Sequence, residues 1–120
     1  MRTKYKPWAA PYLLEHKEIG IALEEIALLE YPVYLEIGSG KGQFLLDMAS
    51  KFSDINFIGV EKNISCSGFC AKKLVENKIT NAKLFAGDGE AVVQSLKDKT
   101  VKCLFLNFSD PWPKKKHNKR

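Results

Sequence analysis

The chain has 120 residues, enough for one domain with a modest core, and its 45% hydrophobic and 28% charged content excludes disorder as its main state. No run approaches the roughly eighteen apolar residues of a membrane-spanning helix. The basic start, Met1-Arg2-Thr3-Lys4-Tyr5-Lys6-Pro7-Trp8, leads into no apolar run or small-residue cleavage site, so a cytoplasmic chain without a secretory signal is expected.

The net charge of +5 resides at the ends. Arg2, Lys4 and Lys6 open the chain and Lys114, Lys115, Lys116, Lys119 and Arg120 close it, whereas residues 7–113 hold eleven bases and fourteen acids, a net −3. An acidic body with two basic arms fits a polyanion held at defined places. Cys66, Cys70 and Cys103 form no CxxC pair, and His16 and His117 complete no zinc spacing. Neither a structural disulfide nor a metal site is expected.

In chain order, apolar residues from Leu13 to Leu29 recur at a helical period, which predicts one helix over Tyr12 to Tyr31, with Pro11 in its first turn and Pro32 closing it. Val33 to Ile37 is a short β-rich run cut off by Gly38-Ser39-Gly40-Lys41-Gly42. Gln43 to Phe52 is helical, Asn56 to Glu61 a second strand and Cys66 to Glu76 a second helix of the alternating series. Ala82 to Phe85 is a third strand, Ala91 to Leu96 a short helix, and Val101 to Phe108 a last strand so apolar that burial on both faces is expected. Strands alternating with helices predict an α/β fold, with a parallel sheet and helices on both faces. The expected division is a basic N-terminal arm and helix over residues 1–32, then one ligand-binding domain over 33–120. A doubly wound sheet has two halves, and this sequence holds one half plus the strand that begins the second, so a fold truncated after its fourth strand is expected. That strand would then present an apolar edge.

The chemistry concentrates at the strand ends. Glu36-x-Gly38-x-Gly40-x-Gly42 follows a strand and opens a helix; its spacing matches neither a P-loop nor a proper dinucleotide fingerprint. Glycines there allow close backbone approach to a ligand. Glu36 would repel a pyrophosphate but could pair with an ammonium, which favours S-adenosylmethionine (SAM) over a nicotinamide cofactor. Glu61 ends the second strand, where an acid can accept from both ribose hydroxyls. Asp88, in Gly87-Asp88-Gly89, can accept from the adenine amine, cap the following helix, or do both. From the end of the last strand, Asn107-Phe108-Ser109-Asp110-Pro111-Trp112-Pro113 leads into a basic run. The prolines hold that segment extended, Trp112 could stack a base, and the run could hold phosphates.

The run NFSDPWPKKKHNKR, the opening Met1-Arg2-x-x-x-Lys6-Pro7-Trp8-Ala9 and the EIGSGKGQF turn together resemble the bacterial tRNA (guanine-N7-)-methyltransferases over essentially the whole chain. The resemblance implies a Rossmann-like SAM-dependent methyltransferase fold and methylation of N7 of the variable-loop guanine of tRNA. It implies Glu36, Gly38, Gly40, Glu61, Asp88 and Asp110 at the SAM site, with Asp110 also catalytic, and no metal. It further implies Lys114, Lys116, His117, Asn118, Lys119 and Arg120 as RNA contacts. Asp110 could stabilise the cation that develops on the purine or fix the base through its N1 and N2 hydrogens. The segments that complete the family's guanine pocket would lie beyond Arg120, so a noncatalytic SAM- or RNA-binding fragment is the alternative.

Overall fold

The computed structural model describes residues 4–96 and 101–106. Four strands, β1 (Val33–Ile37), β2 (Phe57–Glu61), β3 (Ala82–Ala86) and β4 (Val101–Leu106), form an all-parallel sheet in the order β3-β2-β1-β4. Five helices accompany them: α1 (Ala9–Glu15), α2 (Leu23–Ala27), α3 (Gln43–Lys51), α4 (Ile64–Glu76) and α5 (Gly89–Ser95). Strand alternation divides the core into two layers. Phe57, Ala82 and Leu84 join Leu45, Ala49, Cys70 and Leu74 on the α3 and α4 side. Val33, Leu35, Ile58 and Val60 join Ile26 and Val92 on the α2 and α5 side. Helices on both faces of a parallel sheet are therefore as expected, and the chain crosses from β3 back past β1 to reach β4. That reversal makes the β1/β4 boundary a topological switch point, where open α/β sheets hold their ligands.

Two expectations are corrected. The single helix over Tyr12 to Tyr31 is instead two short helices, α1 and α2, with residues 16–22 between them. Ile19 O accepts from Leu84 N at 2.8 Å and Ile21 N donates to Leu84 O at 3.0 Å, so Gly20 forms a parallel bridge to the edge of β3. A Cβ on Gly20 would lie 2.9 Å from the Leu13 carbonyl oxygen. The tertiary hydrogen bonds to β3 outweigh the helical period, because an edge strand left unpaired exposes its polar backbone. The second correction concerns β4. Val101, Cys103 and Phe105 are half-buried, but Lys102, Leu104 and Leu106 are exposed, Leu104 at 49% and Leu106 at 58%. Phe105 packs against Phe44 at 5.2 Å on the α3 side and Val101 against the α2 and α5 cluster, while Leu104 and Leu106 are exposed. The expected final residues of this strand, Asn107 and Phe108, lie outside the described residues.

Asn81, just before β3, fastens the end of α3 to the sheet. Its side-chain amide donates to the carbonyls of Ala49, Phe52 and Ile55 at 3.0, 3.1 and 2.9 Å. These include carbonyls that a helix C-terminus leaves without intrahelical donors. Asn81→Ala should cost about 1–3 kcal/mol in chemical denaturation, the penalty of leaving such groups unsatisfied. Asn81→Asp should cost more, because a carboxylate would face three carbonyl oxygens; equal stability of the Asp variant and the parent would contradict this.

Cys70 lies at the centre of the α4 layer and is fully buried. Burial pushes its thiol up to about 12, and the neighbouring Glu36 carboxylate adds to the effect. The group is thus an apolar filler that stays protonated at neutral pH. In the folded chain a thiol reagent should modify the half-exposed Cys66 and Cys103 and reach Cys70 only in denaturant. Three equally fast thiols would contradict that packing.

Candidate ligand site at the sheet's carboxyl edge

The turn between β1 and α3 is built of residues that can take backbone conformations closed to most side chains. Gly38, Gly40 and Gly42 have φ of 87°, 58° and 93°, all in the left-handed region where a Cβ is disfavoured. Gly42 is the N-cap residue of α3, and a Cβ on it would stand 2.6 Å from Cys70 Sγ. The turn therefore lies directly on α4. Two backbone bonds hang it from β2: Gly38 N and Ser39 N both donate to Val60 O, at 2.8 and 3.0 Å. Gly59 makes room beneath, because a Cβ there would meet Ser39 Oγ at 2.4 Å and Leu45 Cδ2 at 2.6 Å.

Two carboxylates grip this turn from below and from the side. Glu36 is 2% exposed and accepts from the Ser39 hydroxyl at 2.8 Å. Glu61, at the end of β2, accepts from Gly40 N at 2.7 Å through one oxygen and from Asn63 N at 2.9 Å through the other. Asn63 in turn caps α4, accepting from Cys66 N at 3.0 Å. Asp88 caps α5 and accepts from Glu90 N at 3.2 Å. Its flanking glycines bring that turn in: Gly87 N donates to Glu61 O at 3.0 Å, and a Cβ on Gly89 would lie 2.8 Å from Ile37 Cγ2. The turns after β1, β2 and β3 thus meet at one edge of the sheet.

Of the residues expected from sequence, Glu36, Gly38, Gly40, Glu61 and Asp88 are brought together at the carboxyl ends of adjacent strands. Asp110, Lys114, Lys116, His117, Asn118, Lys119 and Arg120 lie outside the described residues. Ser39 and Cys70 were not anticipated as parts of the site; Asn63 was expected only in a loop lining the base, not as the cap of α4. Asn63 carried a readable signal, a cap residue just before an apolar helical run. Gly59 carried another, since a glycine inside a strand marks a close approach. The contacts of Cys70 and Ser39 arise only on folding and have no local signature.

The cradle suits a small polar ligand approached by bare backbone. Three positive-φ glycines leave its rim without side chains, and a buried carboxylate below favours a cationic group over a phosphate. Each oxygen of Glu61 has a second lone pair beyond the bond it already accepts, the acceptor set needed for a vicinal diol.

Residues 30–120 match a family described as a putative methyltransferase. A tRNA (guanine-N(7)-)-methyltransferase of Limosilactobacillus reuteri (strain DSM 20016) is 41% identical over 128 aligned positions that take in the whole chain and 60% of that protein. A protein of the same description from Latilactobacillus sakei subsp. sakei (strain 23K) is 43% identical over 128 positions, again the whole chain and 60% of the relative. The chain thus spans about 60% of the length of the curated relatives it matches. Among solved structures, a 30S ribosomal A1408 methyltransferase from an uncultured bacterium is similar with a TM-score of 0.53 and 26% identity, over 76% of this chain and 43% of that one. An acid-and-glycine cradle at a topological switch point agrees with those matches, and the chain belongs to the methyltransferase family that its residues 30–120 match.

Proposed function

We propose that the chain binds SAM in the Gly38–Gly42 cradle and serves in methylation of guanine N7 in the variable loop of tRNA. The observation that carries this reading is the meeting of Glu36, Glu61 and the Asp88 turn around three left-handed glycines at the switch point. Glu36 would face the amino group of the methionine part, and Glu61 the ribose hydroxyls. Asp88 would accept from the adenine amine while keeping its role as a cap. The names of the relatives support tRNA as the methyl acceptor. Cys66, Cys70 and Cys103 are thiols rather than disulfides in the structure, which suits a reducing compartment, and a cytoplasmic setting is part of this reading.

SAM supplies an electrophilic methyl group on a sulfonium. Guanine N7 carries an in-plane lone pair and no proton, so the chain needs no general base for this transfer. Its residues have to hold two partners in line and to stabilise positive charge that arises on the purine. Fixing such geometry alone contributes several kcal/mol in favourable cases, roughly 7–11 at best. Asp110 is the residue proposed to face the purine, either as a fixed negative charge or as an acceptor for its N1 and N2 hydrogens. Lys114, Lys116, His117, Asn118, Lys119 and Arg120 are proposed to hold the RNA around it.

A second reading has an observation of its own. Among the described residues Leu104 and Leu106 of β4 are exposed, which favours a reading in which these residues bind donor or RNA without themselves completing a guanine pocket. Methyl transfer from labelled SAM to unmodified tRNA separates the two, with N7-methylguanine mapped by reduction and aniline cleavage. The proposed function predicts cleavage in the variable loop; SAM binding with no label in the tRNA would select the noncatalytic reading. Asp110→Ala should abolish transfer while SAM still binds, and unchanged turnover would remove Asp110 from the mechanism.

A further inference from the structure

Three segments that lie far apart in sequence pack together beside the cradle. The N-terminal arm and α1 rest on α4, with Lys6 N donating to Ser65 Oγ at 2.7 Å. A Cβ on Gly68 of α4 would meet the Ala9 Cβ of α1 at 2.4 Å, so the two helices are in close contact there. The turn after β1 lies on the same helix through Gly42 and Cys70. Residues 4–14, 37–46 and 62–75 of this corner contain Lys4, Lys6, Lys41, Lys62, Lys72 and Lys73 and no acid, and the adjoining Glu36 and Glu61 are engaged by the cradle turn. That is a sharp local reversal of the −3 balance of residues 7–113.

The cations are interleaved with aromatic rings. Lys72 Nζ lies 5.4 Å from the Trp8 ring centre, Trp8 meets the Phe69 ring edge to face at 5.2 Å, and Lys41 Nζ lies 5.2 Å from the Phe69 ring centre. Lys72, Trp8, Phe69 and Lys41 therefore form one continuous ridge, leading from the arm across α4 into the glycine turn. Both lysines are exposed and both rings half-buried. Among the described residues the ion pair within 4 Å is His16 with Glu18, so none of these lysines is neutralised by a carboxylate. Packing alone would account for Trp8 and Phe69. It does not account for two solvent-facing ammonium groups placed on their ring faces with no carboxylate of the described residues within 4 Å.

We infer that the Lys72–Trp8–Phe69–Lys41 ridge is a second RNA-backbone contact, which holds the substrate from the N-terminal side of the donor cradle. Unpaired ammonium groups beside aromatic faces are the chemistry that receives phosphates and stacked bases. The ridge ends at Lys41, between two glycines of the cradle, so RNA held along it is led to the place where methyl transfer would occur. The inference rests on the proposed function, since it takes RNA rather than an acidic protein as the polyanion. It adds a contact made by the folded body, independent of the basic run after Pro113.

The test is binding of fluorescently labelled unmodified tRNA across a salt series, with SAM binding followed in parallel by calorimetry. The Lys41→Gln/Lys72→Gln chain should show a log–log salt slope less steep by about 1.4–1.8, two phosphate contacts' worth, and weaker binding at low salt. Lys72→Gln alone should lose about half of that, at roughly 0.7–0.9, with SAM binding unchanged. The Lys41→Arg/Lys72→Arg chain should restore the slope, which a purely packing role would not predict. If Lys72→Gln leaves slope and affinity at parental values while Lys115→Gln/Lys116→Gln/Lys119→Gln lowers both, the ridge is not an RNA contact and the proposed function survives. If the parent chain fails to bind tRNA even at low salt, the ridge and the RNA reading fall together.

Discussion

One carboxylate organises the carboxyl edge of this sheet. Glu61 ends β2 and spreads its two oxygens between Gly40 N in the turn after β1 and Asn63 N at the start of α4. Charge-assisted bonds of this kind are about twice as strong as neutral ones. They fix the left-handed turn against the helix on which it rests, where Gly42 has Cys70 beneath it. Without that tie the glycines would have many conformations to choose from, since glycine loses the most freedom on ordering. With it, the cradle is formed before any ligand arrives, and a formed site avoids paying ordering entropy on binding.

The same arrangement couples the cradle to the rest of the fold. Val60 O receives both Gly38 N and Ser39 N, Glu36 receives the Ser39 hydroxyl, and Glu61 O receives Gly87 N. Neighbouring strands therefore share hydrogen bonds at their ends as well as along their ladders. The N-terminal arm joins this body through Trp8, Ala9 and Ser65 on α4. A basic segment that composition alone would leave as a solvated tail is thereby partly built into the wall beside the site.

The sequence was most legible where a local signal coincided with the final environment. Each strand has a β-rich core bounded by turn residues, and the four strands and the helices α3, α4 and α5 lie where periodicity places them, with ends shifted by a residue or two. The N-terminal helix was misread because Ile19 fits a helical stripe with Ala22, Leu23 and Ile26. In the structure it and Ile21 instead flank Gly20 in an extended segment paired with Leu84. Long-range pairing decided the matter, and no local feature announces it. For β4 the error has the same origin: an all-apolar strand reads as interior, whereas on the described sheet Leu104 and Leu106 face outward. In the site, the acids and glycines were visible because their types and positions follow the chain. Ser39 and Cys70 were not, because what matters about them is a partner across the fold.

The proposed methyl-donor site is the cradle tied by Glu61, and its ligand decides the proposal. Calorimetric titration of the chain with SAM, beside NADH as the competing ligand class and Glu61→Gln as the altered protein, tests it most directly. SAM should bind and NADH should not. Glu61→Gln, which replaces one acceptor oxygen by a donor, should weaken SAM binding by about tenfold or more, the loss of one to two charged hydrogen bonds. Binding of NADH in place of SAM, or SAM affinity indifferent to Glu61, would contradict the proposal.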